Sequence, residues 1–477
     1  MSPTTEHTAQ VATAAAPYLE SWLEHQRRRH RVPGVQAAVR VGDRVVLDTA
    51  LGVADVTTGA PLSTGHLFRI ASHSKTFTAT AVLQLVEAGR MRLDDPIARW
   101  VPAVAGSGLA AVTVRELLGH QGGVVRDGRD NDHWQLLQPF PDADLLLRIA
   151  ADEGAVLERN EHFKYSNIGY SLLGLAIEAV TGVGYGEHVR RAVVEPLGLT
   201  DTGPEWDPAR ADEFAAGHTA LLDGEDARLT IQHVDTRAMA AATGFHATAR
   251  DLTTFGAAHF TGDPTLLSDA GKRLMRRPES EIRAHGKEAR WYGLGMDLRT
   301  AGDRHLVGHS GGYPGHITRT WVDPEGQLVV SVLTNAVDGP ADVLARGLIG
   351  LLDLALTVPG DTVGDRTQSP AAELERYTGR FVNLWGVTDV ALLGGRLVLL
   401  HPGLPEPAED HLELTVEGPD TLRQETVAGF GSAGETVEYT WAADGTAAAV
   451  RFGGISAWPA EVFLARRADQ AAGRAAG

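Results

Sequence analysis

The chain contains no cysteine, which excludes disulfides, a thiolate nucleophile and cysteine-ligated zinc, and leaves the redox compartment unreadable from this residue. Positive charge is also short: the formal net charge is -18, whereas proteins that bind a phosphate backbone concentrate basic residues on one face. Nucleic acid is therefore not an expected partner. No stretch is long and apolar enough to span a membrane, and the N-terminus lacks a basic start followed by an apolar run. The expectation is a soluble, cytoplasmic protein with no membrane partner. Lysine is scarce: only Lys75, Lys164, Lys272 and Lys287 occur among 43 basic residues. Arginine serves wherever a generic cation will do, so a lysine raises the question of what arginine could not supply. The answer is a proton acceptor, because an ammonium can lose its proton on desolvation and a guanidinium effectively cannot. What is present, 43% hydrophobic and 22% charged residues in 477, suits a globular protein of two or three domains.

After an amphipathic first helix, residues 33–56 read as two β-branched runs joined at Gly42-Asp43, a hairpin. Apolar residues then recur at helical spacing from about Ser72 to Ala88, ahead of Gly89. In the mostly helical middle, Thr113 and Glu116 fit a capping box, and residues 168–182 form an apolar-faced helix ending at glycine. From about residue 290 the pattern returns to strands, with a turn at Pro324-Glu325-Gly326 and a closing helix at roughly 339–356. Residues 357–370 are rich in proline, glycine and small polar residues, as in a linker. Beyond them come hairpins turning at Gly394-Gly395 and Asp444-Gly445, without a convincing long helix. The expected domains are 1–360, a linker at 361–370, and an all-β domain at 371–477, a small barrel.

Ser72-His73-Ser74-Lys75 is the strongest chemical signal. Three-residue spacing at a helix start puts Lys75 one turn after Ser72 on the same face, its amine close to the hydroxyl. The helix dipole and partial burial both favour the neutral amine, a base for the serine proton. Chance places S-x-x-K about 0.1 times in a chain with this many serines and lysines. A second candidate is Tyr165-Ser166-Asn167, in a loop entering a helix. Its phenol could relay the serine proton to a leaving group if cationic neighbours lower its pKa, and the asparagine amide could orient a substrate carbonyl. The third is Gly308-His309-Ser310-Gly311-Gly312, which matches the G-x-S-x-G nucleophile elbow and would make Ser310 the nucleophile. An elbow needs a helix next, yet β-branched "HITRTWVD" follows, and no suitable later histidine exists. The alternative is a strand edge lining a cleft. There Gly311 and Gly312 admit a substrate backbone, the Gly312 and Ser72 amides form an oxyanion hole, and His309 donates to the substrate or aids Tyr165.

Taken in order, these pieces resemble the serine hydrolases related to penicillin-binding proteins and class C β-lactamases. "FRIASHSKTFTATAVLQLVEAGRMRLDDPIARWVP" resembles the family's nucleophile helix, "FKYSNIGYSLLG" its Tyr-x-Asn segment, and "VGHSGGYPGHITRTWVDPEGQLVVSVLTN" its third-motif strand and the two that follow. The resemblance covers residues 15 to about 356. It implies Ser72 as the acylated nucleophile, Lys75 and Tyr165 as the general-base pair, Asn167 as a substrate-orienting amide, and the Ser72 and Gly312 amides as the oxyanion hole. His309-Ser310-Gly311 stands where such β-lactamases usually have Lys-Thr-Gly. Histidine there is similar to D-aminopeptidases, some esterases, and penicillin-binding-type thioesterases that cyclise peptides, and the C-terminal domain resembles the lipocalin-like barrels attached to several of these. The implied fold is α+β: an antiparallel sheet with helices and a helical lobe, then a small all-β barrel. The implied function is acyl transfer from an amide or ester through Ser72 to water, with no metal and no organic cofactor and with a small-molecule or peptide acyl substrate. A peptide cyclase or acyltransferase, and a non-catalytic β-lactam- or peptide-binding sensor, are the alternatives.

Overall fold

The structure is a computed structural model that describes residues 3–221, 225–283, 289–357, 371–425 and 434–475. Chain compactness separates two units, residues 1–6 with 30–345, and residues 7–29 with 346–477.

The first unit is built on an eight-stranded antiparallel sheet. Its strands are β1 (Gly34–Val41), β2 (Arg44–Gly52), β3 (Ser280–Ile282), β4 (Arg290–Tyr292), β5 (Asp297–Ala301), β6 (Arg304–Tyr313), β7 (His316–Asp323) and β8 (Leu328–Thr334), in the order β2-β1-β8-β7-β6-β5-β4-β3. β1 and β2 turn at Gly42, whose φ of 58° suits glycine, and β7 and β8 are joined through Pro324-Glu325-Gly326. Every residue of β8, Leu-Val-Val-Ser-Val-Leu-Thr, is buried. A strand covered on both faces reads as a continuous apolar run instead of an alternation. Helices complete the unit. Thr113 and Glu116 form the expected capping box, each side chain accepting from the other residue's backbone N–H. The helix Asn167–Thr181 starts on the Ser166 hydroxyl and ends at Gly182, which has φ 77°.

In the second unit, eight strands between Gly379 and Pro459 close into an antiparallel barrel. Phe381, Leu397, Leu399, Val437, Tyr439 and Val450 pack inside it. The Gly394-Gly395 and Asp444-Gly445 turns fall between consecutive strands, as expected. The sequence reading needs correction at the chain's end: Ala460–Ala475 is a 16-residue helix. Its alanines and arginines favour a helix, but they supply too narrow an apolar stripe to announce one. Phe463 is its buried anchor, stacked on Trp458.

The long N-terminal helix, Pro3–Arg29, contributes residues 7–29 to this second unit. Tyr18 donates to Asp389 at 3.1 Å, and the Gln26 amide donates to the carbonyls of Pro402 and Leu404. Side-chain bonds over such sequence separations leave no local signature, so sequence places this helix, and residues 346–356, with the first domain. The linker expected at 361–370 lies outside the described residues.

Candidate active site

Helical periodicity puts the helix start at about Ser72, and the α-helix itself begins two residues later. Ser72 lies in a 3-10 turn, Ala71–His73, and the α-helix runs Ser74–Glu87. Ala71 adopts φ 46°, a left-handed conformation that costs a non-glycine residue roughly 1–3 kcal/mol and concentrates at functional sites. The surroundings hold it there. The Ser74 hydroxyl donates to the Ala71 carbonyl at 2.5 Å and accepts from the Phe245 N–H at 3.0 Å, and the Ile70 N–H donates to the Phe245 carbonyl.

Lys75 is fully buried, and its Nζ lies 3.1 Å from Ser72 Oγ, 2.7 Å from Asn167 Oδ1 and 2.8 Å from the Ala242 carbonyl. Burial pushes its pKa well below the usual lysine range, against the opposing pull of Asp127. A neutral amine has two N–H groups and one lone pair. The two carbonyl-type oxygens take the N–H groups, which leaves the lone pair for the Ser72 hydroxyl.

The Tyr165 hydroxyl donates to Ser72 Oγ at 2.7 Å. The condition set for a relay, that cationic neighbours lower its pKa, is not met: burial pushes the phenol up, and neither its bond to Ser72 nor Arg126 offsets this. Tyr165 therefore stays protonated, a donor to Ser72 Oγ. The His120 ring, 4.4 Å from that of Tyr165, supports it, and His120 Nδ1 accepts the Ser166 N–H.

Asn167 opens the helix Asn167–Thr181 and is buried, with both ends of its amide engaged: Oδ1 on Lys75, and Nδ2 donating to Asp127 Oδ1 at 2.7 Å. It holds the lysine through one lone pair of its oxygen and Asp127 through one N–H. His309 is also committed. Its Nδ1 faces the Ser310 carbonyl at 2.6 Å and its Nε2 accepts from the Tyr292 hydroxyl at 3.0 Å, an assignment in which Nδ1 carries the proton. Burial lowers its pKa to about 4, so the ring is neutral and braces Tyr292 instead of donating to a substrate.

The two glycines of β6 face opposite ways. A Cβ on Gly311 would meet the Ile70 carbonyl oxygen at 2.0 Å, so Gly311 lets β6 lie against the turn before Ser72, and it does not admit substrate as expected. A Cβ on Gly312 would meet nothing closer than Ile317 Cδ1 at 3.6 Å. Gly312, Ser310, Ser72, Tyr165 and His309 line one cavity of about 510 Å³. Arg126 and Trp291 stand exposed on its wall, and the Asp297–Arg319 ion pair lies deeper. Ser310 lies mid-strand, and the chain continues into β7, so the strand–turn–helix of a nucleophile elbow is absent at this serine. Sequence reasoning missed Asp127, Tyr292 and the Ala242 carbonyl. Asp127 follows the Gly122-Gly123 pair in an arginine- and aspartate-rich segment where nothing singles it out, and a backbone carbonyl has no sequence signal.

With this geometry in hand, the family model described as β-lactamase matches residues 19–354. The chain belongs to the β-lactamase family. Its relatives include penicillin-binding protein 4* of Bacillus subtilis, 29% identical over 63% of this chain and 67% of that one. Among solved structures, SurE superposes with a TM-score of 0.61 at 25% identity, over 96% of this chain and 100% of that one. D-amino acid amidase from Ochrobactrum anthropi SV3 gives 0.57 at 27% identity, over 67% of this chain and 91% of that one. Proteins of this family and fold are serine hydrolases and acyl transferases.

Proposed function

We propose that this chain is a serine acyl hydrolase in which Ser72 attacks the carbonyl of an amide or ester built on a D-configured residue, forming an acyl-enzyme that water releases. The observation that carries this is Lys75 Nζ, 3.1 Å from Ser72 Oγ with both of its N–H groups accounted for. The Ser72 proton passes to Lys75 as Oγ bonds to the carbonyl carbon. Tyr165, 2.7 Å from Oγ, gives its proton to the departing nitrogen or oxygen and regains one from Lys75. The Ser72 and Gly312 N–H groups bind the developing oxyanion, a role supported by Gly312 lining the Ser72 cavity with no packing contact that demands glycine. The D-configuration is supported by the name of the Ochrobactrum amidase and by a SurE structure that contains D-Leu.

A panel of D- and L-amino-acid amides, short-chain esters and peptidyl thioesters, read by intact-protein mass, tests the reading. Acylation at Ser72 by D-substrates ahead of their L-counterparts is expected; equal or reversed preference contradicts the stereochemical part. Condensed or cyclic products in place of free acid would make the enzyme a transferase on the same machinery. A Ser72 adduct that never turns over would make it a sensor.

A further inference from the structure

Asp127 is a buried carboxylate outside the wall of the Ser72 cavity, whereas its neighbour Arg126 is part of that wall. Three N–H groups converge on it. Asn167 Nδ2 and Trp134 Nε1 both donate to Oδ1, at 2.7 and 3.0 Å, and Arg126 Nε donates to Oδ2 at 3.1 Å. A carboxylate can only accept, so it selects the NH₂ end of the Asn167 amide and turns the oxygen end away. The oxygen end then meets Lys75 Nζ at 2.7 Å.

Resting on the Ser72–Lys75 reading above, we propose that Asp127 is a positioning residue that locks the Asn167 amide in the one orientation that accepts a Lys75 N–H and so aims the lysine lone pair at Ser72. With Asp127 removed, the amide can rotate by half a turn and present NH₂ to Lys75, where it no longer accepts an N–H and instead competes with Ser72 for the lone pair. Asp127 also acts through its charge, as the anion that opposes the effect of burial on Lys75. The other groups facing this amine are Arg126, Tyr165 and Tyr170, whose rings lie 4.8 and 5.5 Å away, together with His120 and His309.

The two contributions separate in the rate of Ser72 labelling by a fluorophosphonate, followed by intact mass between about pH 5 and 9. Asp127→Ala frees the amide, and its plateau rate falls roughly 10²-fold, the scale of a small misplacement in a catalytic geometry. Asp127→Asn can keep Oδ1 on both Asn167 and Trp134 and turn its own NH₂ toward the Arg126 side, so most of the plateau returns. It has no charge, so Lys75 holds its proton less tightly and the acid limb moves about one pH unit lower. Trp134→Phe leaves both the plateau and the limb near wild type. The proposal is overturned if Asp127→Ala labels as wild type does, if Asp127→Asn is as slow as Asp127→Ala with an unmoved limb, or if Trp134→Phe reproduces the Asp127→Ala loss. A wild-type protein that takes no label at Ser72 overturns the nucleophile assignment itself, and normal wild-type labelling with unresponsive Asp127 variants overturns only the positioning role.

Discussion

Two lysines in the first unit are buried to nearly the same degree, Lys75 at 0% exposure and Lys272 at 2%. Each stands three residues after a polar side chain, Ser72 in one case and Asp269 in the other. Lys272 donates to the Phe260 and Asp263 carbonyls and reaches Asp269 at 3.5 Å. All its partners are acceptors and one is a carboxylate, so each proton of an ammonium has a destination. Lys75 has two such acceptors, and its third neighbour is a hydroxyl that can itself donate. Burial alone therefore does not give a lysine a proton to take. The third partner must also be able to give one up, as the Ser72 hydroxyl is.

The largest effect should come from replacing each lysine in turn. Lys75→Arg keeps the charge and loses the lone pair, so acylation of Ser72 should drop by roughly 10²–10⁴-fold with the fold retained. Lys272→Met should leave the labelling rate per folded molecule unchanged. It removes the donor from the buried Phe260 carbonyl and the half-buried Asp263 carbonyl, a loss of about 1–3 kcal/mol at the buried one, which denaturant unfolding would register. If Lys272→Met slows labelling of folded protein as much as Lys75→Arg does, the contrast is wrong.

Tyr165→Phe comes next. It removes the donor to Ser72 Oγ and should slow turnover of amides by roughly 10²-fold, and esters with good leaving groups by less, since only the amide nitrogen must be protonated to depart. Equal losses on both substrates would rule out the donor role.

The paired glycines supply a sharper structural comparison. Gly311→Ala drives a methyl into the Ile70 carbonyl and should destabilise the first unit by about 1–3 kcal/mol. Gly312→Ala should unfold like wild type and show its loss in kcat/KM for bulky acyl donors. A thermal melt and a kinetic trace on each variant decide this, and a destabilised Gly312→Ala with a normal Gly311→Ala would reverse the assignment.

Acid stability tests burial itself. His246 and His309 are held at about 4 and His259 at about 3, in each case chiefly by burial. Below the unfolded value of about 6.5, the unfolded chain binds protons that the folded chain refuses. Their contribution is therefore complete above that pH and is lost as pH falls toward 4, at a slope approaching about 1.4 kcal/mol per pH unit for each histidine. Denaturant midpoints that stay flat between these limits would contradict buried neutral rings. The smallest effect belongs to Ser310→Ala, which should retain most activity.

Much of this was legible in sequence because it depends on local periodicity. The hairpin at Gly42, the capping box at Thr113, the strand character after Gly312 and the pairing of Ser72 with Lys75 are all written within a few residues of themselves. The rest depends on contacts between distant segments. Asp127 acts on Lys75 through Asn167, Tyr165 takes its electrostatics from burial that spacing cannot report, and His309 is occupied by Tyr292, 17 residues earlier on a neighbouring part of the sheet. Gly311 and Gly312 are indistinguishable as letters, and only the strand's pleat assigns one to packing and the other to the cavity.

The central claim is that the nucleophile is Ser72 and not the serine of the Gly308–Gly312 stretch. Intact-protein and peptide mass after exposure to a fluorophosphonate tests it most directly, using wild type, Ser72→Ala and Ser310→Ala. The account predicts one adduct on the Ser72 peptide in wild type and Ser310→Ala, and none in a folded Ser72→Ala. An adduct that survives Ser72→Ala and disappears in Ser310→Ala would contradict it.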